Sequence, residues 1–596
     1  MTASLLPARP IYLEVEPDSI FAMIHEPPDG RVAETAVLIC PPWGWDEVAS
    51  YRSRGAWADR LAAAGHRTLR IDLPGAGDSA GTPAGPDRVG AWSRAIGAAA
   101  AWLATQPGTS RVAAVGLGSG GLMAGIAIAD GAQIDDLILW AAPSSGRTFL
   151  REQRAFGALR QSRLGLAGDP SSTVLPDGWL EIGGFVLSAE TIAGIAPLQL
   201  ASMPLGRLQR ALILERDGMG RDREVEAHLT RLGVAVETGP GNGWKDMVFH
   251  PEQYRPPVVV FDTVAAWLAR APSGQQSNVR KEPPRMEDRL ESWEDGVRIR
   301  ESTVRIHQPF GQLFGILGEP VAAPQATICA IFLNAGAVRR IGPNRMWVEA
   351  SRRWNAAGVP TIRMDFEGLG DADGDPRRYL DVGNFYTPEF GAQVSATIDH
   401  LEGHGFGRRF VLIGLCAGGY WAFHTAAADP RVVAALVVNP RAMVWDDGLL
   451  ERREARKVGR ILEPAHWHRI LRGDIPVSRL VGVSKAFART AAGAAMRLPR
   501  RFDPGRSDVA PEDPTERRLD ALRDHGSRVA LAFSGDEPVR DELEADGILS
   551  RLDRWPNVVL KDLPGQDHTL RPIEAQRAMH DLLDGELERL LGGGEG

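Results

Sequence analysis

Cys416 lies in the run Gly414-Leu415-Cys416-Ala417-Gly418-Gly419, straight after the apolar run 409–415 and just before a stretch of helical period, Tyr420–Ala428. A strand that turns sharply into a helix holds the turn residue in a strained backbone, so its neighbours two positions away must be Gly or very small. The helix that follows aims the positive end of its dipole at the sulfur and favours thiolate, the form that attacks carbonyl carbon. Cys329, inside the apolar run ATICAIFL, reads instead as core. A thiol nucleophile needs an imidazole to take its proton and an acid to hold that imidazole's tautomer. The loop Gly565-Gln566-Asp567-His568, after the last apolar run NVVLKDLP, offers His568, and the run VALAFSG (529–535) ends at Asp536-Glu537-Pro538. The chemistry these groups can do is acyl transfer through a thioacyl-enzyme.

The elements that must position these residues recur twice. FAMIHEP (21–27) and RIDLPGAGD (70–78) return as FGILGEP (314–320) and RMDFEGLGD (363–371), both 293 residues later. VGLGSGGL (115–122) returns as IGLCAGGY (413–420), 298 residues later. Collinear matches at nearly constant spacing indicate a duplicated domain. In each half short apolar runs alternate with helical stretches, the pattern of a mostly parallel sheet covered by helices on both faces. Two antiparallel-looking runs precede each series, 11–16 with 20–26 and 302–308 with 312–318. The expected organisation is a first domain over 1–270, a polar, Pro-containing linker over 271–298, and a second domain over 299–596 with a cap inserted at about 441–527.

Together, the turn at Cys416 and this element order resemble the α/β-hydrolase fold, twice in tandem, with Cys in place of the usual Ser. The second half resembles the cysteine-nucleophile branch, of which dienelactone hydrolases are members. The run LNAGAVRRIGPNR also resembles uncharacterised hydrolases of bacterial exopolysaccharide or secondary-metabolite pathways. The resemblance implies a triad in chain order Cys416, acid, His568, with Asp536 favoured over Glu537 by position. It also implies an oxyanion hole from the Ala417 amide and the loop Asn334-Ala335-Gly336-Ala337, with Ala335 and Gly336 as candidate donors. Arg339, Arg340 and Arg345 follow that loop and are candidate ligands for an anionic substrate group; salt bridges to Asp365 and Glu367 are the alternative.

Laying GLGSGG on GLCAGG puts Gly118 at the nucleophile position of the first half, Asp217 opposite Asp536, and Trp244 where a histidine is needed. The first half therefore reads as a pseudo-enzyme. The match of Gly116–Gly121 to G-x-G-x-x-G follows a middle strand rather than the first, so it carries no dinucleotide reading. Asp371, Asp373 and Asp375 open like a calcium loop, but Pro376 and Val382 occupy the positions that need Gly and Glu.

From Arg452 to Arg501 thirteen Lys/Arg face three acids, around His466-Trp467-His468. Such a cap is either a solvated face or a steering surface for an anionic acyl donor such as an acidic carrier protein, with Trp467 a candidate contact. The whole chain of 596 residues carries a formal charge of −8, with 44% apolar and 24% charged residues, so no nucleic-acid partner is signalled. Three cysteines exclude a disulfide framework. With no signal pattern at Met1–Pro10 and no membrane-spanning run, a cytoplasmic enzyme needing no cofactor or metal is expected. An ester or thioester hydrolase is the first reading. An acyltransferase to an amine or alcohol, and a non-catalytic scaffold, are the alternatives.

Overall fold

A computed structural model describes residues 7–28, 32–163, 175–220, 222–272, 283–322, 327–446, 448–449, 453 and 513–592. The chain divides into two compact units, residues 1–441 with 521–596, and residues 442–520. Both halves of the repeat belong to the first unit. Apart from Arg453, the basic segment Arg452–Arg501, Trp467 included, lies outside the described residues.

The strands of the first half are β1 (Arg9–Leu13), β2 (Ile20–His25), β3 (Thr35–Cys40), β4 (Thr68–Ile71), β5 (Arg111–Leu117), β6 (Asp136–Trp140), β7 (Leu180–Ile182), β8 (Phe185–Leu187), β9 (Arg210–Leu214) and β10 (Ala235–Gly239). Then come β11 (Met286–Glu287), β12 (Arg289–Glu294), β13 (Val297–Gln308), β14 (Gly311–Pro320), β15 (Ile328–Phe332), β16 (Thr361–Asp365), β17 (Arg409–Leu415), β18 (Val432–Val438), β19 (Arg528–Phe533) and β20 (Val558–Asp562). Among the described residues they form two nine-stranded sheets and a β7–β8 hairpin. The sheet orders are β10-β9-β6-β5-β3-β4-β2-β1-β11 and β12-β13-β14-β16-β15-β17-β18-β19-β20. Reversing the first aligns β2-β4-β3-β5-β6-β9-β10 with β14-β16-β15-β17-β18-β19-β20, so the sequence repeat is a repeat of topology.

In both sheets the central strands pair in parallel and the leading hairpins, β1–β2 and β13–β14, are antiparallel. Central strands such as β3, β5 and β15 are buried along their whole length, which explains their continuous apolar runs. Helices such as Ser119–Ala129 and Ala417–Ala428 follow the middle strands and cover the sheets. The stretch 271–298, expected as linker, holds strands in its described part. β11 adds to the first sheet and β12 to the second, because their backbone groups complete the edges beside β1 and β13.

The halves meet through a reciprocal seam of buried charge. Arg70 of the first half donates to Asp371 at 2.9 Å, and Arg363, its repeat equivalent, donates to Asp78 at 2.9 Å. Arg52 reaches the carbonyls of Gly370 and Ala372 at 2.8 and 3.2 Å. Its equivalent Arg345 reaches those of Gly77 and Ser79 at 2.9 and 2.8 Å. Residue i contacting j while j's counterpart contacts i's is the signature of a two-fold interface, here built within one chain. Phe21 and Phe314, also repeat equivalents, join the apolar cluster at its centre with Met23 and Ile316.

Candidate active site

β17 ends at Leu415, and the next residue, Cys416, has φ 58° and ψ −118° before the helix Ala417–Ala428 begins. This is the strained turn that the small neighbours imply. A Cβ on Gly414 would lie 2.1 Å from the Gly418 backbone, and one on Gly418 would lie 2.4 Å from the Asn334 carbonyl oxygen. Both glycines are therefore required for close backbone approach.

His568 follows β20 and its Nδ1 is held by Glu537, at 2.9 Å from Oε1 and 3.1 Å from Oε2. Asp536, expected as the acid, is exposed at the apex of the turn with φ 63°. That left-handed residue swings the chain so that the following side chain, Glu537, points inward. The acid beside His568 is thus Glu537, and the expectation for Asp536 is corrected. Nε2 of His568 is buried and bonds no nitrogen or oxygen. Its charge is coupled to Cys416. Burial pushes the imidazole down, but the Cys416 thiolate and Glu537 outweigh it and raise His568 to about 10. Burial likewise pushes the Cys416 thiol up, yet the His568 imidazolium and then Arg441 bring it below the ordinary thiol range. Both shifts move this pair toward thiolate and imidazolium.

Three supporting residues escaped sequence reading. Asn439, just past β18, donates to the His568 carbonyl at 2.9 Å and to Ser534 Oγ at 3.0 Å, and accepts from the Ser534 amide at 2.8 Å. Arg441 acts on the thiolate, and Tyr386 is a direct hydrogen-bonding neighbour of Cys416. The available signal was position: Asn439 and Arg441 follow the carboxyl end of a parallel strand, where such sheets place their sites.

Cys416, His568 and Arg441 line a cavity of about 160 Å³ together with Ala335 and Gly336. Gly336 has φ +56°, and a Cβ there would meet Glu252 Oε1 at 2.9 Å. Glu252 belongs to the first half, as do Trp45, Val48, Phe185, His250 and Pro251 in the same lining. Arg339, Arg340 and Arg345, candidates either for an anionic substrate group or for salt bridges to Asp365 and Glu367, do not line this cavity, and Arg340 makes the Asp365 salt bridge. Arg339 pairs with Asp72 at 2.9 Å and Glu47 at 3.1 Å. Arg340 pairs with Asp365, Asp78 and Asp371 at 2.6–2.8 Å. Arg345 is bound to the first-half carbonyls described above. A buried guanidinium needs local partners: carboxylates neutralise Arg339 and Arg340, and backbone carbonyls hold Arg345.

At the equivalent place in the first half, Gly118 has φ 52° and ψ −128°, nearly the Cys416 backbone. A Cβ there would meet Pro42 at 3.2 Å and the Trp244 ring at 3.3 Å. Ser119 Oγ is occupied by the Trp43 amide at 2.9 Å. Asp217 holds the Trp244 loop through the amides of Gly243 and Lys245, at 2.6 and 2.8 Å. Among the described residues no group of His, Cys, Asp and Glu could hold a metal ion, and no helix is long and apolar enough to cross a membrane.

Residues 330–594 match the model of the alpha/beta hydrolase family. The search of curated proteins finds no match for this chain. Among solved structures, Est1E from Butyrivibrio proteoclasticus with bound ferulic acid is similar at 18% identity and TM-score 0.31, over 43% of this chain and 97% of its own. The thioesterase domain of the curacin biosynthetic pathway is similar at 12% identity and TM-score 0.28, over 48% and 99%. Mouse alpha/beta hydrolase domain-containing protein 10 is similar at 16% and 0.29, over 48% and 99%. The family match over residues 330–594 thus falls on the half with this sheet order and the strained turn after its middle strand, and the fold there is that of an alpha/beta hydrolase.

Proposed function

We propose that the protein is an ester or thioester hydrolase acting through Cys416, His568 and Glu537. The observation that carries this reading is the Cys416 thiol, at a strained turn with φ 58°, coupled to an imidazole that a buried carboxylate grips at 2.9 Å. In the first step the Sγ thiolate attacks the acyl carbonyl carbon. The amide of Ala417 and one from the Ala335–Gly336 loop hold the oxyanion. The carbon–oxygen or carbon–sulfur bond to the leaving group then breaks as the His568 imidazolium gives it a proton. In the second step neutral His568 takes a proton from water, the hydroxide adds to the thioacyl carbon, and the thiolate leaves. An alcohol or amine in place of water makes the same sequence an acyltransferase.

The first half is a non-catalytic partner in this reading. Gly118 supplies no nucleophile, Trp244 fills the space in front of it, and Trp45, His250 and Glu252 instead wall the pocket of the second half. In this reading the halves divide near residue 288, between β11 of the first sheet and β12 of the second. The test is intact-mass spectrometry of the protein quenched in acid seconds after mixing with a panel of acyl esters and thioesters. An acyl adduct that maps to Cys416 and is absent from Cys416→Ala supports the reading; turnover by Cys416→Ala overturns it.

A further inference from the structure

A second cavity, of about 370 Å³, lies between the halves and shares Val48, Phe185 and Asn344 with the catalytic pocket. Its size falls within the range of small-molecule sites. Trp43, Leu73, Trp92, Trp179, Val186 and Ile573 give it apolar walls. The charged groups that reach it are, apart from exposed Arg577, already paired. Glu349 faces His580 at 3.4 Å and Arg345 at 3.9 Å. Asp72 faces Arg339 at 2.9 Å, and Glu47 faces Arg54 at 2.6 Å. An apolar occupant therefore leaves no buried charge of this lining unpaired, and the cation that an anion would meet is Arg577, on the exposed side.

Resting on the reaction proposed above, we infer that this cavity receives an extended apolar acyl group whose carbonyl lies at Cys416, passing Phe185 between the two chambers. Val48, Phe185 and Asn344 line both chambers, so in this proposal a chain anchored at the sulfur reaches the second chamber by a rotamer change of Phe185. The first half then sets the substrate class: it supplies most of the apolar wall and leaves the chemistry to the second half. Short acyl groups fill only the smaller chamber.

The test compares kcat/KM of the full chain for p-nitrophenyl esters from acetyl to decanoyl. Each methylene entering the second chamber is expected to raise kcat/KM about fourfold until the space is filled. Val186→Trp and, at an exposed rim position, Ala84→Trp fill the second chamber without touching the first. Each is expected to lower the decanoyl-to-acetyl ratio by about tenfold or more. A readout free of chemistry uses Cys416→Ala, in which 10-bromodecanoate should quench the fluorescence of Trp43, Trp92 and Trp179. Adding Val186→Trp should abolish that quenching. A flat chain-length profile, or quenching unchanged by both fillings, overturns the inference. Turnover by Cys416→Ala would remove the reaction reading alone, because the quenching still decides what the cavity holds.

Discussion

Replacing Glu537 by Gln separates the two candidate acids cleanly. Gln keeps the size of the side chain but removes the charge that lies 2.9 and 3.1 Å from Nδ1 of His568. A hydrogen bond to a charged group contributes about 1.5–3 kcal/mol, so kcat/KM should fall roughly 10- to 150-fold. The same loss destabilises the imidazolium and, through it, the thiolate. The pH midpoint for alkylation of Cys416 by iodoacetamide should therefore move upward by about one to two pH units. In the parent the thiolate persists below the ordinary thiol range and is lost as pH falls through its lowered pKa. Asp536→Asn is the control, since Asn tolerates the left-handed φ of 63° and the side chain is exposed. It should change kcat/KM less than about twofold and the alkylation midpoint less than about 0.3 pH unit. An Asp536→Asn variant as impaired as Glu537→Gln, or an unchanged alkylation midpoint in the Gln variant, would refute the assignment.

Iodoacetamide near neutral pH should label Cys416 alone in the native protein, read by peptide mapping. Cys416 is 7% exposed with a lowered pKa, while burial pushes Cys40 to about 12 and Cys329 higher still. Asp78→Asn should cost about 3–5 kcal/mol in denaturant unfolding. It leaves Arg340, Arg363 and Arg339, at 2.7, 2.9 and 3.7 Å, short of one buried anion; a cost under about 1 kcal/mol would mean the seam is not a desolvated network. Burial would raise the carboxyls of Asp78 and Asp371, but facing arginines hold both below the ordinary carboxylate range. Their stabilisation is complete above the unfolded carboxyl pKa of about 3.9 and is lost only as pH falls through the lower folded values. A difference in unfolding free energy between the parent and Asp78→Asn that already fades in the pH 5–7 range would contradict this for Asp78. Gly118→Cys should add no alkylatable thiol and should destabilise the first half by about 1–3 kcal/mol, because the new side chain is strained and meets Trp244.

Much of this protein was legible in the chain. The duplication, the parallel order of both sheets and the turn at Cys416 follow from local patterns: apolar runs, glycines at close approaches, and repeats 293 residues apart. Gly118 and Trp244 could likewise be placed by aligning one half on the other. The exposed edge strand β10, the short β7–β8 hairpin, and β11 and β12 lacked a continuous apolar run and went unread. Tertiary structure alone decided the acid beside His568, because one positive φ at Asp536 determines which of two adjacent carboxylates faces inward. It also decided the fate of Arg339, Arg340 and Arg345. The first-half carboxylates of Arg339 and Arg340 and the first-half carbonyls that hold Arg345 stand some 260 to 290 positions away in the chain, and no local pattern reports a pairing that exists only when two folded halves meet. The composite pocket has the same origin: Glu252 and Cys416 become neighbours only because the seam carries one half across the mouth of the other.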